Sequence, residues 1–380
     1  MWKIPLFETS FDKMEIEAVH NVIYSGWLTM GDITKEFENR FAEFLGIKHV
    51  IAVTNGTAAL HLANKSLNIG KGDEIICPSL TFVAGANSIY YTGAMPVFAD
   101  IESQDNLCIS PTDIERKVNY RTKAIQVMHY GGYPCDMDKI NDIAQKYKLY
   151  IIEDCAHAPG SEYNGKKCGT LGDIACFSFF SNKNMATGEG GIVATNNDEI
   201  AKKIRLMRSH GMTTLTWDRA RGHAFSYDVV ELGFNYRIDD LRSAIGLVQL
   251  NKLQTNNKKR EQLVKLYRIK LDELNYCTIP FSNVLSISSY HIFPILLDRK
   301  INRSEFMEYL KKRGIQTSIH YPPIHKFDYY CRIFKNNYIL SITEDVAKRL
   351  VTLPLYPNMK TEDIYYICEV INEFLKNLEV

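Results

Sequence analysis

The chain has no CxxC pair, no long apolar run and no excess of either charge, and each lack closes off a class of function. Its nine cysteines (Cys77, Cys108, Cys135, Cys155, Cys168, Cys176, Cys277, Cys331 and Cys368) are odd in number and scattered. That pattern suits neither a zinc site nor a disulfide framework, so no metal is expected. Several of these thiols stand inside apolar runs, where a free cysteine is a small hydrophobe, and a reducing cytoplasm is the natural location. No stretch approaches the roughly 18 consecutive apolar residues of a membrane span. Residues 1–7 carry no signal-peptide core. With a formal net charge of +1, the chain has no bulk field for nucleic acid or an anionic membrane. The short basic run Lys258-Lys259-Arg260 reads as the solvated face of a helix. Repeats and low-complexity segments are lacking as well.

At 380 residues the chain exceeds what one hydrophobic core usually serves, which points to two domains. Between residues 35 and 250, helical patterns alternate with seven short apolar runs, at 49–53, 74–77, 95–98, 124–128, 149–152, 174–178 and 191–195. Unbroken apolar runs mark strands covered on both faces, and the intervening helices imply a mainly parallel α/β sheet. Thr34 is the expected cap of a helix bearing Phe37, Phe41, Phe44 and Leu45. Beyond residue 250 come a strand candidate at 290–297, a helix capped by Ser304, and a final helix capped by Thr361. The expected division is a large α/β domain over residues 1–250 and a smaller α+β domain over 251–380.

Lys183 gives the chain a chemistry. It follows the strand candidate that ends in Phe177-Ser178 and precedes the glycine-rich turn Thr187-Gly188-Glu189-Gly190-Gly191. An amine among small, hydroxyl and aromatic residues can form a Schiff base, and once released it can act as a base. Asp154 ends another apolar run, and a carboxylate buried there needs a cationic or donor partner. A pyridinium N–H would serve. Anchor and carboxylate together meet the two electronic requirements of pyridoxal phosphate. Val53-Thr54-Asn55-Gly56-Thr57-Ala58 leads from a strand into a helix, making Gly56, Thr57 and Ala58 a candidate phosphate cradle. Alone, that segment more often describes merely a turn and cap. Phe82, just past a strand, is placed to stack on a flat ring, and Ser178 to add a hydroxyl to the phosphate. His157 stands three residues beyond Asp154, within reach of the ring's phenol oxygen or packed beside it.

In their order and spacing these blocks resemble the DegT-type nucleotide-sugar aminotransferases, which are fold-type I enzymes dependent on pyridoxal phosphate. The resemblance spans nearly the whole chain. Ser25-Gly26-Trp27-Leu28-Thr29 is similar to the family's substrate-side segment, which implicates Trp27 and Thr29. Arg208-Ser209-His210-Gly211, Leu232-Gly233-Phe234-Asn235-Tyr236-Arg237 and Ile319-His320-Tyr321-Pro322-Pro323 are further family-like blocks. The resemblance implies a homodimer with the site between subunits, Asn235 reaching the neighbour's cofactor phosphate, and His320 and Tyr321 near the sugar. Lysine at 183 implies amino transfer, because related sugar dehydratases carry histidine there. Many members have glutamine where this chain has His157, which reads as a variant. The implied reaction moves an amino group from L-glutamate to a keto group of a nucleotide-linked 4-keto-6-deoxy sugar. Its product would serve a surface polysaccharide, glycan or natural product. The alternatives are a dehydration or deoxygenation on a similar sugar, and a sugar-sensing module that has lost catalysis.

Overall fold

Seven strands build the central sheet of this computed structural model, which describes residues 2–214, 226–272, 277–282, 286–335 and 338–377. Strands β1 (His49–Val53), β2 (Glu74–Pro78), β3 (Met95–Ala99), β4 (Thr122–Met128) and β5 (Tyr150–Asp154) come first in the chain. A two-stranded hairpin, β6 (Glu162–Tyr163) and β7 (Lys166–Lys167), interrupts them before β8 (Ile174–Ser178) and β9 (Gly191–Thr195). The sheet order is β1-β9-β8-β5-β4-β2-β3, with only β9 antiparallel to its neighbours. Strands β2 and β9 are buried along their whole length, as unbroken apolar runs require. The mainly parallel seven-stranded sheet expected from the runs is therefore present.

Helices α1 (Lys13–Ser25) and α2 (Asp32–Leu45) precede the sheet, α3 (Gly56–Ser66), α4 (Ala84–Tyr90), α5 (Pro111–Lys117) and α6 (Met137–Tyr147) connect its strands, and α7 (Asp198–Arg208) follows the last of them. Because β5 and β8 run parallel, their carboxyl ends lie side by side and set Asp154 opposite Cys176, two residues before Ser178. Open α/β sheets place ligands outside such strand ends. A smaller antiparallel sheet joins β10 (Cys277–Thr278), β11 (Phe293–Leu297) and β12 (Leu350–Leu353). Among the described residues, no helix is long and apolar enough to cross a membrane.

One 33-residue helix, α8 (Asp240–Asp272), runs through both parts of the molecule. Leu253 packs in a core with Phe37, Phe41 and Phe177, whereas Leu263, Val264, Tyr267 and Leu271 pack with the C-terminal strands and helices. The division set at residue 250 falls inside this continuous helix. The two ends of the chain also interleave: Ile4 joins the C-terminal core, while Ile324, Tyr330 and Leu340 pack with α3 and β2. On α8, Lys258 and Lys259 are exposed, but Arg260 faces inward and is buried, so only part of the basic run is a solvated face.

Three helix caps differ from expectation, each for a local reason. Asn302 rather than Ser304 caps the helix Arg303–Lys312, with its Oδ1 accepting the Ser304 and Glu305 N–H groups. Lys360 precedes the helix Thr361–Lys376, and Asp363 reaches back to its N–H. At α2 the cap comes from far along the chain. Asp240 Oδ1 accepts the N–H of Gly31 (2.8 Å) and Thr34 (3.0 Å), and the Thr34 hydroxyl (2.6 Å). Thr34 is thus a buried donor inside the helix. A carboxylate at a helix N-terminus satisfies orphan donors and suits the dipole. Asp240→Ala should therefore cost about 1–3 kcal/mol of stability. The check is a lower denaturant midpoint at unchanged slope, and an unchanged midpoint would show that the long-range cap contributes nothing.

Candidate active site

A cavity of about 570 Å³ opens where β4, β5 and β8 end, and its walls carry most of the residues singled out in the sequence. Gly56, Thr57, Ala58, Phe82, Asp154, His157, Ser178, Lys183, His320 and Tyr321 all line it. Lys183 is delivered by the turn between β8 and β9. The Thr187 N–H donates to the Phe179 carbonyl, the Phe179 N–H to that of Gly190, and the Lys183 N–H to that of Phe180. Gly188 takes φ +81°, a left-handed conformation that glycine alone adopts without strain, and turns the chain back into β9. Next to Lys183, Asn184 is buried and donates to Ser289 O and Asn257 Oδ1, which pins the turn to the C-terminal part of the chain.

Lys183 is half-buried and lines the cavity. Lost hydration lowers its pKa to about 8, only partly opposed by the charge of Asp154. Asp154 is buried at the end of β5, and burial raises its pKa against the pull of the Ala156 N–H, Lys183 and His129. One of its oxygens accepts the Ala156 N–H at 3.0 Å. The other has no partner among the described residues, so it is available to a donor in the cavity.

The neighbouring Glu153 points the opposite way and is wholly buried. It accepts the N–H groups of Gly169, Leu171 and Gly172, and pairs with His129 Nε2 at 3.0 Å. A buried carboxylate with four donors is a satisfied one. It braces the strand end on which Asp154 stands. Sequence alternation along β5 was the signal for these opposed roles, since successive side chains take opposite faces.

The phosphate cradle differs in one detail from expectation. Asn55 Oδ1 caps α3 by accepting the Ala58 N–H at 2.8 Å, which spends one of the three donors. The Gly56 and Thr57 N–H groups have no partner among the described residues. A Cβ on Gly56 would lie 2.7 Å from the Ser178 Cβ, so only glycine lets the helix start meet β8 this closely. Free backbone donors at a helix N-terminus beside a hydroxyl make an anion site. Phe82 is 58% exposed, which excludes a role as core filling and leaves a ring face open to the cavity. An anion cradle, a buried carboxylate and a desolvated amine fit the phosphate, ring nitrogen and aldehyde of pyridoxal phosphate.

His157 is buried and does not present a free nitrogen to the cavity. Its Nδ1 accepts the Gly131 N–H at 3.3 Å, and its Nε2 lies 2.8 Å from the Tyr321 hydroxyl. Trp27 lines a separate hollow of about 660 Å³ between α1, α2 and α8, and Thr29 is exposed. Neither reaches the Lys183 cavity in this chain. Asn235 is exposed and lies outside the cavity lining. Sequence reasoning missed Tyr91, Phe180, Asn182, Glu189 and Tyr236, which complete the walls.

The neutral amine is the nucleophile, so capture of pyridoxal phosphate by Lys183 should accelerate as pH rises through about 8. Borohydride trapping against pH measures this directly. Acceleration only near the ordinary lysine value of 10.5 would show that the amine keeps its hydration.

The family described as the DegT/DnrJ/EryC1/StrS aminotransferases matches residues 9–372. The chain is 36% identical to GDP-perosamine synthase of Escherichia coli O157:H7, over 98% of each protein. Its structure is similar to that of Helicobacter pylori PseC, an aminotransferase involved in the biosynthesis of pseudoaminic acid (33% identity, TM-score 0.92, covering 98% of this chain and 99% of that one). It is also similar to the PLP form of Spr1654 of Streptococcus pneumoniae (26% identity, TM-score 0.89, covering 98% and 97%). The chain belongs to the DegT/DnrJ/EryC1/StrS aminotransferase family and is a pyridoxal phosphate-dependent aminotransferase.

Proposed function

We propose that this enzyme moves an amino group from an amino acid, L-glutamate, to a keto group of a nucleotide-linked 4-keto-6-deoxy sugar. The product would be an amino sugar for a surface polysaccharide, glycan or natural product. One observation carries the reading: position 183 holds a lysine whose amine is desolvated beside Asp154. A histidine there could not anchor the cofactor covalently. When bound, pyridoxal phosphate supplies the electron sink that lets a bond to an amine-bearing carbon ionise.

The residues divide the remaining tasks. Lys183 would hold the cofactor, and its free amine would serve to move a proton, for which a pKa of about 8 is suitable. Asp154 would keep a proton on the pyridine nitrogen through its unpartnered oxygen. Gly56, Thr57 and Ser178 hold the phosphate. Phe82 would stack on the cofactor ring, and His320 and Tyr321 would stand near the sugar. Amino transfer through a carried group implies ping-pong kinetics.

The resemblance to fold-type I enzymes supports a homodimer in which Asn235 completes the partner's phosphate site. An exposed Asn235, next to the cavity-lining Tyr236 but not itself part of that lining, agrees with that arrangement. By the same reasoning Trp27 and Thr29 would act across the interface. The enzyme would work in the cytoplasm. The large and small domains would meet within α8.

The test is direct. Protein loaded with pyridoxal phosphate should show a visible band, and L-glutamate plus a panel of nucleotide ketosugars should yield 2-oxoglutarate and an aminated sugar identifiable by mass and NMR. Lys183→Ala should lose the band and steady-state turnover. A sugar product formed without stoichiometric 2-oxoglutarate would move the enzyme to dehydration or deoxygenation.

A further inference from the structure

We propose that Tyr321 is the proton-donating residue of the Lys183 cavity, aimed at an oxygen of a bound group by His157. The inference rests on the proposed aminotransfer and assigns a role within that site. Its basis is a count of protons on two side chains that stand 164 residues apart in the chain and meet at 2.8 Å.

The Gly131 N–H points at His157 Nδ1, so that nitrogen must offer a lone pair. The alternative, a proton on Nδ1, would set donor against donor. Burial keeps the ring neutral, aided by the nearby charge of Lys183. A neutral ring has one proton, and it must therefore sit on Nε2. His291 lies against the ring, with centroids 4.2 Å apart, and holds it in place. His291 is itself fixed, because Asn184 turns its amide donors to Ser289 O and Asn257 and its carbonyl oxygen to His291 Nδ1 at 2.9 Å.

The phenol follows from the imidazole. His157 Nε2–H donates, so Tyr321 Oη accepts, and the tyrosine's own proton cannot lie on that line. No described protein group other than His157 bonds to Tyr321 Oη. The hydroxyl lines the cavity shared with Lys183 and Asp154, which leaves the cavity as the direction open to its O–H. Burial and the Asp154 charge raise its pKa, so it remains a donor throughout the working range. The backbone that carries it is fixed, since Tyr130 donates to the His320 carbonyl and His320 Nδ1 lies 2.9 Å from Thr352 Oγ1.

The acceptor is an oxygen bearing partial negative charge. Two sources present one: the ring oxygen of the cofactor and the keto oxygen of the acceptor substrate. Tyr321→Phe keeps the ring that packs 6.0 Å from Phe82 and deletes only the donor. If the cofactor oxygen is the acceptor, loading this variant with pyridoxal phosphate gives a shifted visible band. If the keto oxygen is the acceptor, the band stays in place. The amine-loaded variant then reacts with 2-oxoglutarate about 100-fold more slowly, with saturation unchanged.

His157 is the positioning residue. His157→Leu should reproduce most of the Tyr321→Phe effect, and His157→Gln, which keeps an N–H donor, should recover it. A merely structural role would not distinguish Leu from Gln in this way. Histidine-selective 15N NMR on the loaded full-length enzyme reads the tautomer without any turnover, and the Nε2–H form is expected. An Nδ1–H form or an imidazolium at His157 overturns the proposal, as does a Tyr321→Phe enzyme with unaltered band and unaltered 2-oxoglutarate reaction. Failure of the wild-type protein to develop any band with pyridoxal phosphate would instead sink the proposed function.

Discussion

An ammonium group kept from water is the constraint on which the rest of this structure depends. A lysine on an open turn would be hydrated, charged and inert as a nucleophile at neutral pH. Inside the cavity the charged form loses its hydration, and the amine's pKa falls to about 8. Asp154 acts in the opposite direction and prevents the shift from going further. The same burial raises the pKa of Asp154 itself, so the two groups depend on each other's charge. Neither would be tolerable there alone, because an isolated buried charge is costly. Together they form a site that a cationic ring nitrogen and an imine can complete.

Holding the pair in place requires rigid backbone on both sides. Adjacent parallel strands β5 and β8 set the spacing of Asp154 and Ser178 through their register. Glu153 ties the end of β5 to the turn at 169–172, and Asn184 ties the Lys183 turn to Ser289 and Asn257. The C-terminal part of the chain thus clamps the turn that bears the reactive lysine. Helix α8 is the common strut, since it supplies Asn257 to this clamp and Asp240 to the start of α2. Removing either contact would loosen elements far apart in sequence.

Much of the sheet and of the site was legible because its signals are local. A strand shows as a short apolar run, and residues at strand ends or helix starts inherit their place from that run. Asp154, Ser178, Lys183, Phe82 and the Gly56 turn were found in this way, and all line the cavity. What escaped was set by contacts across the fold. The Asp240 cap reaches Gly31 from 209 residues away, and the His157–Tyr321 bond spans 164. No window of sequence contains either. The caps at Asn302 and Lys360 were missed by one or two positions, because several polar residues there compete for the same role. Trp27 and Thr29 carry a family-like pattern, yet Gly26 in a left-handed turn ends α1 before them, and neither lines the cavity of Lys183 in this chain.

The burial of the wall residues separates two tasks. Groups to which the proposed reaction gives the chemistry are buried or walled in: Asp154, His157 and the amine of Lys183. Groups at the mouth remain open, with Phe82 58% exposed, Tyr91 57% and Phe180 45%. Exposed aromatic faces cost little specificity in shape and accept flat or apolar partners by stacking. A change at the mouth would leave the electrostatics around Lys183 intact, because those rings carry no charge. A change at the floor would alter the protonation of every neighbour, since His157, His291 and His320 all lie within the field of Lys183. The fold can therefore keep one reaction while its rim is reshaped for another substrate.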